Sequence, residues 1–147
     1  PWGRPDMALF KFTKNILNQK PIEVYNNGEH IRDFTYVTDI AEGVVRAATK
    51  NQALSKRFNS KPNLSKAPFY IFNIGANRPI RLMRFIKEIE KNLKLKAKIN
   101  YLPLQPGDVM STKSDIRNIS KSFDYKPKVN VEKGIRNFIS WYLDYYN

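Results

Sequence analysis

The chain has 147 residues, 41% hydrophobic and 13% aromatic, which suits one globular domain with a real core and excludes a disordered chain. Lys and Arg number 26 against 13 Asp and Glu, a formal net charge of +13 that favours anionic ligands. Cysteine is absent and histidine occurs once, which excludes disulfides, thiolate catalysis, Cys-ligated zinc and multi-His metal sites.

No apolar run approaches the ~18 to 20 residues of a membrane span. Pro1 to Asp6 carries no signal-peptide pattern, and no initiator Met is present, so the numbered chain is expected to begin inside a longer product. The absence of cysteine fits a cytoplasmic location. Basic residues are scattered, densest over Lys87 to Lys98, and read as a solvated surface. No nucleic-acid-binding module is recognisable, so nucleic acid is not an expected partner.

Pro1 to Pro5 is a turn-rich entry, and Asp6 is placed to cap a helix running to about Asn18, with Leu9, Phe12 and Ile16 as its stripe. Pro21 starts an alternating strand, Ile22-Glu23-Val24-Tyr25. Asn26-Asn27-Gly28 is a turn that supplies positive φ, and a second extended stretch follows, so Ile22 to Val37 is expected to form a hairpin. The next helix should place Ile40, Val44 and Ala47/Ala48 on one face, with Asp39 at the positive end of its dipole, and end near Lys50. Residues 51–68 are polar, contain Pro62 and Pro68, and read as a mobile variable loop.

Phe69 to Gly75 reads as a short buried strand. Pro79 precedes a helix with Leu82, Phe85/Ile86, Ile89 and Leu93 on its apolar face. Lys98 to Leu104 alternates weakly and predicts a strand, and Gln105-Pro106-Gly107-Asp108 predicts a turn. Asp115 to Phe123 predicts a short helix, and Asn130 is placed to cap the last one, with Val131, Ile135, Phe138/Ile139 and Tyr142 inward. The pattern is that of a mixed α/β fold: a small substrate-binding lobe with short strands and about five helices, one domain over residues 1–147. No βαβ series long enough for a doubly wound sheet is present.

No catalytic constellation emerges. No G-x-G-x-x-G opens a helix, and no Tyr stands four residues before a Lys. Lys87, Glu88 and Glu90 read as solvated charges, and His30 is expected in a surface turn. Binding signals are better. Arg32 lies in an extended segment, and its planar fork suits a phosphate. Arg4 sits in a rigid Gly-Arg-Pro turn, Tyr25 offers a ring face to a nucleobase, and Asp108 offers an acceptor to sugar hydroxyls. Structural roles stand beside these: Asp33 and Asp39 as caps, Tyr25 as packing, Arg32 as the ion-pair partner of Asp33 or Asp39.

Five segments carry a resemblance: PWGRPDMALFKFTKNIL at Pro1 to Leu17, PIEVYNNGEHIRDFTYVTDIAEGVVRA at Pro21 to Ala47, FNIG at Phe72 to Gly75, QPGDV at Gln105 to Val109, and GIRNFISWYLDYY at Gly134 to Tyr146. On these the chain resembles the C-terminal part of extended short-chain dehydrogenase/reductase enzymes of the NAD-dependent epimerase/dehydratase kind. It looks nearest to bacterial UDP-glucuronate 4-epimerases of capsule and lipopolysaccharide synthesis.

The resemblance implies a division of labour. An N-terminal Rossmann lobe would hold NAD and supply a Ser/Thr, a Tyr and a Lys for acid–base chemistry, and the C-terminal lobe would close over the UDP-sugar. Arg32 would match the arginine on the diphosphate, and Tyr25 and Glu23 the positions lining the uracil. Gln105 and Asp108 would fall where the family contacts diphosphate or ribose, and Arg4 near the sugar and its carboxylate. Gln105 departs from the arginine found there in many relatives. No catalytic, cofactor-binding or metal-binding residue is assigned to this chain, which is expected to be a detached lobe, inactive alone, with NAD bound only by the complete enzyme. Its expected partners are a UDP-sugar, a separate Rossmann lobe and further copies of itself through exposed apolar surface. The alternatives are a non-catalytic UDP-sugar or polyanion-binding module, or a vestigial fragment.

Overall fold

The computed structural model describes residues 6–50 and 71–146. The described residues form, in chain order, α1 (Ala8–Leu17), β1 (Ile22–Val24), a 3-10 turn (Asn26–Gly28), β2 (Ile31–Arg32), α2 (Val37–Thr49), β3 (Ile80–Arg81), α3 (Leu82–Leu93), β4 (Ile99–Tyr101), α4 (Arg117–Phe123) and α5 (Val131–Tyr146). The fold is mixed α/β, with five α-helices and short strands among the described residues, as the sequence pattern predicts. The entry segment, Arg4 and the loop over residues 51–68 lie outside the described residues. Two compact units are present: one from Pro1–Arg32, Pro79–Thr112 and Asn130–Asn147, the other from Asp33–Arg78 and Lys113–Val129.

In the first unit α3 packs against α5 and α1, and α1 packs against β1. Phe12 and Ile16 of α1, Ile22 and Val24 of β1, Leu82, Phe85, Ile86 and Ile89 of α3, and Ile135, Ile139 and Tyr142 of α5 are buried. Each set follows the period of its element, 3.6 in helices and 2 in the strand. Burial of such a side chain stabilises by about 1.5–3 kcal/mol, so this apolar seam outweighs any local propensity. Asn130 caps α5, its side-chain oxygen accepting the Lys133 N–H at 2.9 Å. Asp6 does not cap α1: the cap position is Met7, without a side-chain cap bond.

The expected hairpin is absent. β1 pairs in parallel with β4, Glu23 opposite Asn100, while β2 pairs antiparallel with β3, Ile31 opposite Arg81. Asn26, Asn27 and Gly28 do adopt positive φ, at 51°, 48° and 82°. The turn they make is directed away from β2: the Asn27 N–H donates to the Leu102 carbonyl at 3.1 Å, and the Leu102 N–H donates to Val24 at 3.0 Å. β1 is thereby tied to the end of β4 instead of to its sequence neighbour.

The second unit is built on Ile119, Phe123 and Tyr125, against which Ala47, Phe72, Ile74 and Ile116 pack. The buried Tyr125 hydroxyl donates to the Gly75 carbonyl at 3.0 Å. Residues 71–75 form no strand, and Ile71 is exposed, which corrects the expected buried strand there; Phe72 and Ile74 alone turn inward.

α2 is rotated from the face its aliphatic residues suggest. Asp39 and Gly43 are its buried residues, while Val37, Val44 and Val45 are exposed by 69%, 53% and 58%. Two contacts fix that rotation. The Asp39 carboxylate accepts the backbone N–H groups of Lys128 at 3.1 Å and Val129 at 3.0 Å. Gly43 lets the helix approach Ile74 so closely that a Cβ there would stand 2.9 Å from the Ile74 Cγ2.

Candidate functional site

The Gln105-Pro106-Gly107-Asp108 turn forms as the sequence predicts. The Asp108 N–H donates to the Gln105 carbonyl at 3.1 Å, and Gly107 has φ +82°. Pro at the second position and a positive-φ Gly at the third are the requirements of a type II turn. Beyond it the chain is laced to β2: the Ile31 N–H donates to Met110 at 3.0 Å and the Thr112 N–H to Ile31 at 3.1 Å. That lacing brings Asp108 to Arg32. Arg32 Nη2 donates to Asp108 Oδ1 at 3.0 Å, and Nη1 donates to the carbonyls of Met110 and Ile31, each at 3.1 Å. The arginine side chain retains 25% of its exposure, so its fork is fixed and still reachable by solvent.

Arg32 therefore pairs with neither of the acids its sequence neighbourhood offers. Asp33 belongs to the second unit, where it accepts the Asn77 and Arg78 N–H groups at 3.0 Å each, the Ser114 N–H at 2.8 Å and the Ser114 hydroxyl at 2.5 Å. Burial opposes the ionisation of Asp33, but the Ser114 hydroxyl and then the backbone N–H groups of Ser114, Arg78 and Asn77 hold its carboxyl below the ordinary aspartate value. Asp39 is likewise a tether and not a helix cap.

His30, read from sequence as a surface turn residue, is buried, with 4% exposure. Its Nε2 lies 3.1 Å from Oδ2 of Asp108. The carboxylate is near the ring but off the direction of an aligned hydrogen bond, so this buried nitrogen has no hydrogen-bond partner.

Glu23 and Tyr25 meet at a separate pocket in the same unit, of about 440 Å³. Lys11, Phe12 and Asn15 of α1 and Asn100 of β4 line it with them. The Tyr25 hydroxyl donates to Glu23 Oε2 at 3.2 Å. That bond, followed by burial and the Glu23 charge, raises Tyr25 above its ordinary value of 10.0. A cleft of this volume falls in the range of small-molecule sites, ~300–1,000 Å³.

Among the sequence-predicted residues, the structure brings Arg32 to Asp108 and Tyr25 to Glu23. Gln105 closes the turn through its carbonyl while its residue remains exposed, and Arg4 lies outside the described residues. Sequence reasoning passed over Lys11, Asn15 and Asn100, and read the buried His30 as a surface residue. Lys11 and Asn15 are four apart on α1, a helical-face signal, but Asn100 reaches the pocket only because β4 pairs in parallel with β1.

Comparison with known proteins gives the family. Residues 1–75 match the model of the NAD dependent epimerase/dehydratase family, and the chain belongs to that family. It is 46% identical over 149 residues to Protein CapI of Staphylococcus aureus, covering 99% of this chain and 45% of that protein. It is 40% identical over 146 residues to the probable UDP-glucuronate 4-epimerase of Rhizobium meliloti, covering 97% and 43%. The fold superposes with a TM-score of 0.77 on the UDP-glucuronic acid 4-epimerase of Bacillus cereus solved with UDP-glucuronic acid and NAD, at 28% identity, covering 97% of this chain and 42% of that one. The chain spans less than half the length of these relatives. No helix among the described residues is long and apolar enough to cross a membrane.

Proposed function

We propose that this chain is the substrate-binding portion of a UDP-glucuronate 4-epimerase, one that serves surface-polysaccharide synthesis. In this reading the uracil enters the Glu23–Tyr25 pocket, Arg32 holds the diphosphate, and Asp108 and Gln105 face the ribose–diphosphate stretch. By the resemblance, Arg4 would contact the sugar or its carboxylate. The observation that carries the reading is the pairing of Arg32 with the turn at Asp108, 76 residues away, at 3.0 Å. Arg32 Nη1 is taken by two carbonyls and one Nη2 hydrogen by Asp108, which leaves Nε–H and the second Nη2 hydrogen to make charge-assisted hydrogen bonds to a diphosphate. The +13 net charge adds attraction for a ligand whose diphosphate and carboxylate are all negative.

NAD, when bound in the complete enzyme, supplies the redox step at the sugar. Gly3, Gly28, Gly43, Gly75, Gly107 and Gly134 are too widely spaced to make a G-x-G-x-x-G pyrophosphate turn, so the residues present do not fit a dinucleotide. The role proposed for this chain is to bind and orient the nucleotide end, with hydride transfer assigned to polypeptide that completes it.

Calorimetric titration of UDP tests the reading. Arg32→Ala should weaken binding about 10- to 100-fold, the value of a charge-assisted hydrogen-bond pair. Equal affinity in the variant would remove Arg32 from the site.

A further inference from the structure

We infer that His30 is a positioning residue for the nucleotide site: its buried ring steadies the Asp108 carboxylate, which in turn sets the plane of Arg32. The inference rests on the reading of Arg32 as the diphosphate ligand. His30 is the only histidine of the chain and is buried beside β2, its carbonyl accepting the Leu82 N–H at 2.8 Å. Its ring therefore cannot travel far. Asp108 sits at the end of a turn with 35% of its side chain exposed. A carboxylate in that setting rotates unless both oxygens are engaged.

Both have a close neighbour here, and the one at Oδ1 is an aligned hydrogen bond. Oδ1 faces Arg32 Nη2 at 3.0 Å, and Oδ2 faces His30 Nε2 at 3.1 Å. The hydrogen bond at Oδ1 and the ring nitrogen beside Oδ2 restrict the plane of the carboxylate, and that plane bears on Nη2 of the guanidinium. The Ile31 and Met110 carbonyls hold Nη1. A side chain kept only for packing at this position has no need of nitrogen, because a buried nitrogen without an aligned partner is costly. The cost is explained if the ring's task is electrostatic support of Asp108, since a binding group is precise only when the shell behind it is held. Pre-ordering Arg32 removes part of the entropy lost when a phosphate docks.

The direct readout is the order of the Arg32 side chain in the ligand-free protein, measured by the 15N–1H heteronuclear NOE of its Nε–Hε group. His30→Phe keeps an aromatic of similar shape and removes the ring nitrogens; His30→Gln keeps a polar nitrogen on a side chain of similar reach. The NOE should fall in His30→Phe and be largely retained in His30→Gln, and UDP-glucuronate affinity should fall about 5- to 10-fold in the first and less than about 2-fold in the second. Asp108→Ala, at an exposed turn that tolerates truncation, should lower the same NOE.

Retained Arg32 order in His30→Phe, or equal loss in the Phe and Gln variants, would reduce His30 to a packing residue and overturn the inference. Retained order in Asp108→Ala would overturn it independently, even if the His30 variants do not fold. If the unaltered chain binds no UDP-glucuronate while the NOE pattern holds, the proposed function falls and the positioning of Arg32 by His30 stands.

Discussion

Asp33 and Asp39 lie six residues apart in the second unit, and each accepts backbone N–H groups from distant segments. Asp33 takes amides of Asn77, Arg78 and Ser114, and Asp39 takes those of Lys128 and Val129. These are tethers between loops that have no strand ladder to join them. Asp33→Ala should lower stability by about 1–3 kcal/mol, since the part-buried Ser114 N–H loses its acceptor while the exposed amides recover water, and urea denaturation checks it. The pH dependence follows from the lowered carboxyl of Asp33. A depressed folded-state value means that its contribution is complete above the ordinary 3.8 and is lost as pH falls through the lower folded value. Acid unfolding in the region below pH ~4 should therefore be less steep in Asp33→Asn than in the unaltered chain. An unchanged acid limb would remove Asp33 from that transition. None of these partners was legible locally. Sequence offered Asp33 and Asp39 as caps or as partners of Arg32, because those are the roles neighbours can suggest; the actual acceptor of Arg32 comes from residue 108.

The helices were legible because their apolar period repeats over three or four turns, as in the Leu82, Phe85, Ile86 and Ile89 face of α3. The strands were not, because two or three residues of alternation fix no partner, and β1 chose β4 over its neighbour β2. α2 shows a subtler limit. Its expected face was Ile40, Val44 and Ala47/Ala48; Ala47 does pack on the core, but Val44 is exposed and a buried carboxylate and a glycine contact take the inward side. Gly43→Val should cost about 1–3 kcal/mol through overpacking against Ile74 and Tyr125, whereas Val44→Ser should stay within about 0.5 kcal/mol of the original. Thermal unfolding of the two variants gives the comparison; the reverse order would contradict the observed rotation of α2.

At the scale of the whole chain, family membership rests on matched residues 1–75, and the length spans less than half of its relatives. Arg32, Tyr25, Glu23 and Asp108 were each singled out by residue type or resemblance, and the structure joins them as two pairs, Arg32 with Asp108 and Tyr25 with Glu23. What groups them is tertiary: a parallel pairing places Asn100 beside Glu23, and the lacing of residues 108–112 to β2 delivers Asp108. If the proposed division of labour holds, turnover of UDP-glucuronate to UDP-galacturonate should appear only when a separately produced NAD-binding lobe is added with NAD, as followed by chromatography of the two nucleotide sugars. Turnover by the unaccompanied chain would contradict that division.

The central claim is tested most directly by a crystal of this chain soaked with UDP. The account predicts the uracil in the pocket lined by Glu23, Tyr25 and Asn100, and the diphosphate on the Arg32 guanidinium. Nucleotide density confined to any other surface, with Arg32 and Tyr25 untouched, would contradict it.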